Sequence, residues 1–172
     1  GPNVLYRNLG GWEFEDITEK AGVACADQFS TGSVFVDIDG DRDLDLLVTA
    51  LGGPNAAFLN DGAGNFDEMT QEVGLHLNTG ATTMALADVD GDSDLDLYMA
   101  NDKTRSVRDI YPANERTFDM TVRQTEDGWE ISPEFRNHFT LNVRGGRLER
   151  FEYAEADFFF SNDGTGRFIR EQ

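Results

Sequence analysis

The sequence predicts an all-β chain of four-stranded antiparallel blades, and three observations predict it. An acidic run, DIDGDRDLDL from Asp37 to Leu46, returns as DVDGDSDLDL from Asp88 to Leu97, fifty-one residues later. A second element, YRNLGGWEFEDITEKAGV from Tyr6 to Val23, returns fifty-two residues on as FLNDGAGNFDEMTQEVGL from Phe58 to Leu75 and matches it at Asn8/Asn60, Phe14/Phe66, Thr18/Thr70 and Gly22/Gly74. A third copy, FFFSNDGTGRFIREQ, begins at Phe158, with Asn162 and Phe168 again six apart. Repetition at a fixed period of this size marks a chain of like supersecondary units that bury their faces against one another.

Within one unit the elements follow in order. Ser33 to Val36 leads as a strand into the acidic loop, and Leu44, Leu46 and Val48 alternate with Asp45, Leu47 and Thr49 in a second strand. Ala57 to Leu59 forms a third strand, and Asn65 to Met69 a fourth, after the turn Asn60-Asp61-Gly62-Ala63-Gly64. TEKAGV and TQEVGL are long enough for one helical turn and serve as the crossing to the next unit. Four strands in about fifty residues is the pattern of a β-propeller blade. The chain therefore reads as propeller repeats over 1–102, a different segment over 103–157, and the opening strand pair of a further unit over 158–172. Two complete acidic loops and part of a third unit make about 2.5 to 3 blades, an incomplete propeller with a sheet face left uncovered. We expect such a chain to be a fragment of a longer protein, or to close its propeller by association.

The charge follows the repeats. Formal net charge is −19, which argues against nucleic acid or an anionic membrane as partner and favours a cation. Residues 103–157 hold nine basic and eleven acidic side chains, so nearly all the excess lies in the repeated part. No apolar run approaches the roughly 18 residues of a membrane span, and the amino end lacks the basic-then-apolar pattern of a signal peptide. The lone Cys25 offers no internal disulfide and fits no metal motif; it reads as a small buried hydrophobe.

Five aspartates on alternate positions of a nine-residue run repel one another, and partial burial adds to a cost of several kcal/mol. A divalent cation reverses the sign of that term. Calcium takes six to eight oxygens at about 2.3–2.6 Å in flexible geometry. A tight loop supplies side chains at positions 1, 3, 5 and 9 and a backbone carbonyl at 7. The candidate ligands are thus Asp37, Asp39, Asp41 and Asp45 with the carbonyl of Asp43, and Asp88, Asp90, Asp92 and Asp96 with the carbonyl of Asp94. Gly40 and Gly91 fall at position 4, where a positive φ is easiest for glycine, and Leu44 and Leu95 are expected to point into the blade. The spacing follows the start of an EF-hand loop, but no Glu stands at position 12 and no helix pattern flanks it. Magnesium prefers a stricter octahedron with several waters, and zinc wants His or Cys, so oxygen-only ligation points to calcium, about two ions per chain. Millimolar calcium outside cells fills weak sites, which favours an extracellular or periplasmic home.

DIDGDRDLDL and DVDGDSDLDL, the Asn-Asp-Gly-x-Gly-x-Phe turns at Asn60 and Asn162 and the FEDIT-x-x-AGV tail from Phe14 to Val23 together carry a family resemblance. The repeat resembles the FG-GAP/VCBS type of the integrin α-subunit propeller and, more closely, the propellers of the ASPIC/UnbV and cartilage acidic protein group. The resemblance covers 3–101 and 158–172. It implies a calcium-stabilised extracellular module for protein or glycan interaction, adhesion or scaffolding, with no membrane insertion.

Residues 103–157 carry no acidic loop. Phe118, Met120 and Val122 alternate toward a turn at Glu126-Asp127-Gly128 before Trp129 and Ile131, and Phe139, Leu141 and Val143 lead to Gly145-Gly146 and on to Phe151 and Tyr153. Two hairpins inserted between the second and third strands of a blade fit this; a degenerate repeat, with Asn142 to Gly146 as a loop that lost its metal, is the other reading. Arg105, Arg108, Arg116 and Tyr111-Pro112 make the segment a candidate contact surface, against a simpler role as charged, solvated hairpin edges. His76 and His138 sit in no catalytic motif, and the aspartate pairs are committed to the metal, so no enzyme is expected. The alternative is part of a propeller enzyme, a polysaccharide lyase or hydrolase with catalytic groups outside the acidic loops, or a subunit of a larger assembly.

Overall fold

The computed structural model describes residues 1–171; Gln172, the end of the third copy, lies outside the described residues. It is all-β and forms two units, one running from Gly1 to Asp102 and resuming at Ala156, the other Lys103–Glu155. The first unit opens with the hairpin of β1 (Tyr6–Gly10) and β2 (Glu13–Asp16), which pairs Asn8 with Phe14, followed by the single helical turn α1 (Thr18–Ala21). The first complete blade is β3 (Ser30–Val36), β4 (Asp45–Pro54), β5 (Ala56–Asn60) and β6 (Phe66–Glu68), each antiparallel to the next. The second blade begins with β7 (Asn78–Ala87) and β8 (Asp96–Asn101).

There the chain leaves the blade for the second unit. It forms the turns α2 (Val107–Ile110) and α3 (Phe118–Thr121), then the hairpin of β9 (Val122–Thr125) and β10 (Gly128–Ile131). A 3₁₀ turn at Pro133–Phe135 precedes a second hairpin, β11 (Phe139–Arg144) with β12 (Arg147–Glu152). Val107, Val122, Ile131, Phe135 and Phe139 form this unit's own core. The alternation of Phe118 and Met120 does not make a strand: both are exposed, while the fully buried Thr121 donates its hydroxyl to the Thr117 carbonyl and closes a helical turn. Asn142 to Gly146 is the end of an ordinary hairpin, with Arg144 opposite Arg147. The chain then returns to the second blade with β13 (Phe158–Asn162), which pairs with β8, and β14 (Phe168–Arg170). The 53 residues between Lys103 and Glu155 thus enter between the second and third strands of a four-stranded blade.

The repeated positions outside the acidic loops have structural duties. Thr18 accepts the Leu5 N–H at 2.8 Å, and Thr70 accepts the Ala57 N–H at 3.0 Å, so each threonine ties the crossing back to the third-strand region of its blade. Gly74, at φ 84°, lets the crossing run against β14: a Cβ there would stand 2.5 Å from the Phe168 carbonyl oxygen. The main core lies between the two blades. Val36, Ile38, Leu47 and Ala57 of the first meet Val73, Leu75, Ala81, Leu97, Met99, Phe160 and Phe168. The opposite face of the first blade, with Leu46, Val48 and Phe58, is covered by Ala21 and Val23.

Leu47 and Tyr98 hold the same place in the two blades, but Leu47 is 1% exposed between them while Tyr98 is 45% exposed on the outer face of the second. Their substitution separates packing from position. Leu47→Ala is expected to cost about 2–5 kcal/mol in urea unfolding, and Tyr98→Ala much less, chiefly through loss of its hydrogen bond to Asp157. Equal losses would argue that the blades do not pack on each other through this face.

Candidate metal centre

Each acidic loop is held by its own carboxylates. At position 1, Asp37 accepts the N–H groups of Gly40 at 2.8 Å and Arg42 at 3.0 Å; Asp88 does the same for Gly91 at 2.7 Å and Ser93 at 3.2 Å. Asp39 and Asp90 accept from Asp41 and Asp92, both at 3.2 Å, and Asp41 and Asp92 accept from Asp43 and Asp94, both at 3.0 Å. Gly40 and Gly91 take the left-handed conformation, with φ 79° and 85°. Arg42 and Ser93 also adopt it, with φ 78° and 82°, a strain of about 1–2 kcal/mol that the bonds to Asp37 and Asp88 help to offset.

Position 9 is the buried one. Asp45 is 1% and Asp96 2% exposed. Asp45 accepts the N–H groups of Ile38 and Asn60, both at 3.0 Å, and Asp96 those of Val89 at 3.0 Å and Asn162 at 3.1 Å. Asp45 turns inward to meet these donors, while Leu44 beside it is 54% exposed rather than pointing into the blade. Leu95 is partly buried against the core as expected.

The loops gather oxygens. Asp37, Asp39 and Asp45 each present a carboxylate oxygen within 4.8 Å of the others, and Asp88, Asp90 and Asp92 do so in the second loop. That span is what two oxygens on opposite sides of one calcium ion, each at about 2.4 Å, would have. Asp41 and Asp96 lie outside these triplets. The position 7 side chains lie elsewhere: Asp43 is against Gly62, and Asp94 is so close to Gly164 that a Cβ there would meet its Oδ2 at 2.6 Å. One Asp43 oxygen is buried without a hydrogen-bond partner.

Burial raises the carboxyl pKa of Asp39, with the charges of Asp41 and Asp37 adding to it. Asp43 is raised by burial and by Asp41 and Asp45, and Asp45 by burial that outweighs its two backbone bonds. Asp90 accepts the Asp92 N–H, which lowers its pKa, but burial and the neighbouring charges of Asp92 and Asp96 carry it upward. The second aspartate of each turn behaves oppositely. Asp61 is lowered by Asn65 and Ala63, and Asp163 by Thr165, so both hold their charge through local hydrogen bonds.

Sequence reasoning treated Asn60 and Asn162 as turn markers, yet both belong to the site. The amide of Asn60 donates to the Leu44 carbonyl at 3.1 Å, and that of Asn162 donates to Leu95 at 3.3 Å. Their recurrence immediately after the third strand was the available signal. The histidines stand apart from the loops: His76 is exposed beside a cleft with Cys25, Glu68 and Glu72, and His138 packs edge-on against Tyr111. Cys25 is half-buried, its thiol raised by burial.

Strand order, pairing and paired acidic loops define a propeller-type repeat module. The family model of the FG-GAP-like repeat matches residues 37–99. Cartilage acidic protein 1 of Homo sapiens is 28% identical to the chain over 109 residues, covering 62% of this chain and 16% of that protein. The chain thus aligns with a small part of the length of that relative. No helix among the described residues is long and apolar enough to cross a membrane.

Without divalent cations, the raised pKa of Asp45 sets the sign of its contribution. The extra penalty for burying its charge is absent while it is protonated; that penalty sets in as pH rises past its unfolded pKa and is complete above its folded one. Asp45→Asn mimics the protonated acid, so from pH 3.5 to 7 it should lose less stability than the parent chain. Urea unfolding across that range checks this, and parallel curves would show that burial of Asp45 does not control the loop.

Proposed function

We propose that this chain is a calcium-loaded propeller segment of an extracellular or periplasmic protein, acting by binding or scaffolding toward another protein or a glycan and not by catalysis. The observation that carries the reading is a three-carboxylate cluster in the acidic loop of each of two blades, at positions 1, 3 and 9 in the first and 1, 3 and 5 in the second. Their donors are all hard oxygens, they fall within the span of one ion, and the loop sequences hold one basic residue, Arg42, in the first and none in the second. Asp37, Asp39 and Asp45 would hold one ion and Asp88, Asp90 and Asp92 the other, with Asp41 and Asp96 beside them. The ion supplies positive charge that neutralises the loop. The protein supplies the oxygens and fixes the loop through the buried position 9 aspartates.

The likeness to cartilage acidic protein 1 supports the extracellular part of the reading, and the uncovered outer face of the second blade, with Tyr98 and Val89, supports association that completes the propeller. The net charge of −19 supports a partner other than nucleic acid.

Calorimetric titration of chelator-stripped protein with calcium tests it. One ion is expected per acidic loop, with a rise in melting temperature, since an ion that binds only the folded state stabilises it by mass action. Asp39→Asn should remove one ion and leave the other. No heat of binding and an unchanged melt would leave a propeller segment without calcium.

A further inference from the structure

The two acidic loops meet at one side chain. Asn162 is 5% exposed and belongs to the second blade, where its backbone N–H donates to Asp96 and its amide to the Leu95 carbonyl. The same amide donates, at 2.8 Å, to the carbonyl of Ile38, which is in the acidic loop of the first blade, 124 residues away in sequence. Ile38 lies between Asp37 and Asp39, and its own N–H donates to Asp45 at 3.0 Å. One residue in the first loop is therefore bonded through its N–H to a cluster carboxylate and through its carbonyl to Asn162. The turn that follows reinforces the contact. A Cβ on Gly166 would stand 3.1 Å from the Asp39 Cβ and 3.4 Å from Ile38 Cγ1, so the turn runs directly against the first loop and glycine is what lets it do so. Asn60, the equivalent residue in the first blade, bonds only within its own blade.

We infer that Asn162 couples the two calcium sites, so that filling either loop raises the affinity of the other. The inference rests on the calcium reading proposed above. An ion in the first loop fixes Asp37, Asp39 and Asp45, hence the Ile38 peptide, hence the Asn162 amide. That amide and its N–H hold Leu95 and Asp96 of the second loop. Ordering paid once at the shared residue is not paid again, which gives positive cooperativity. Direct electrostatics has the opposite sign, because filling one loop removes negative charge that attracts the second ion. Positive coupling is therefore a signature of the hydrogen-bonded route, and by linkage it is reciprocal.

The experiment is a double-mutant cycle read by calcium calorimetry at about 0.15 M salt, where exposed charges beyond roughly 8 Å are screened. Loop-one affinity is measured in the parent chain, Asp90→Asn, Asn162→Ala and the double variant. With Asn162 present, Asp90→Asn should weaken loop one by about fivefold or more, and with Asn162→Ala it should have no further effect. An equal loss in both backgrounds, or none in either, overturns the coupling while leaving the calcium reading intact. Absence of binding at both loops in the parent chain overturns both. Because Asn162 is buried and its variant could fold poorly, a second measurement keeps Asn162 in place. In Asp39→Asn, calcium bound to the second loop should slow hydrogen exchange of the Ile38 amide; an unchanged rate overturns the inference.

Discussion

Asp45 and Asp96 bury a carboxylate each by dividing its two oxygens between backbone N–H groups from different parts of the blade. One donor lies at the start of the acidic loop and the other at the end of the third strand, so a single side chain closes the loop and pins it to the sheet. A carboxylate buried without partners costs several kcal/mol, whereas hydrogen bonds to a charged group contribute about 1.5–3 kcal/mol each. The rest of each loop is arranged around this clamp: the left-handed residues at positions 4 and 6 and the carboxylates left facing one another.

The clamp explains why so acidic a segment can be part of a folded core. The loop's backbone donors are met by the loop's own aspartates, so the charges serve as acceptors before any ion is considered. What remains is the cost of burial, with mutual repulsion added to it, visible in the raised carboxyls of Asp39, Asp43 and Asp45. Local hydrogen bonding and cation binding thus draw on the same oxygens. A loop of this kind is folded by its backbone bonds and relieved by its metal.

Packing between blades sets a second constraint. Ile38 is 3% exposed because the second blade covers it, while Val89, its equivalent, is 63% exposed on a face with no covering blade. The same contrast separates Leu47 from Tyr98. Two equivalent stretches of chain therefore end in different environments, decided by which neighbour each one has.

By itself the sequence determined the period, the order of four strands per blade, the place of the crossing turns and the ten aspartates, because each is written as local alternation or exact recurrence. Asp37, Asp39 and Asp45 lie within one span, as do Asp88, Asp90 and Asp92, while Asp41 and Asp96 stand outside those clusters. Local pattern misled where it was short: Phe118 to Val122 holds one helical turn before its strand, and Leu44 faces solvent. Only the tertiary structure decided that Asn162 joins its own blade's loop to Ile38, 124 residues away in sequence. It also decided that the position 9 aspartates are clamps, and that residues 103–155 have their own core. These depend on which strands lie side by side, and pairing between distant strands leaves no periodic trace in the chain.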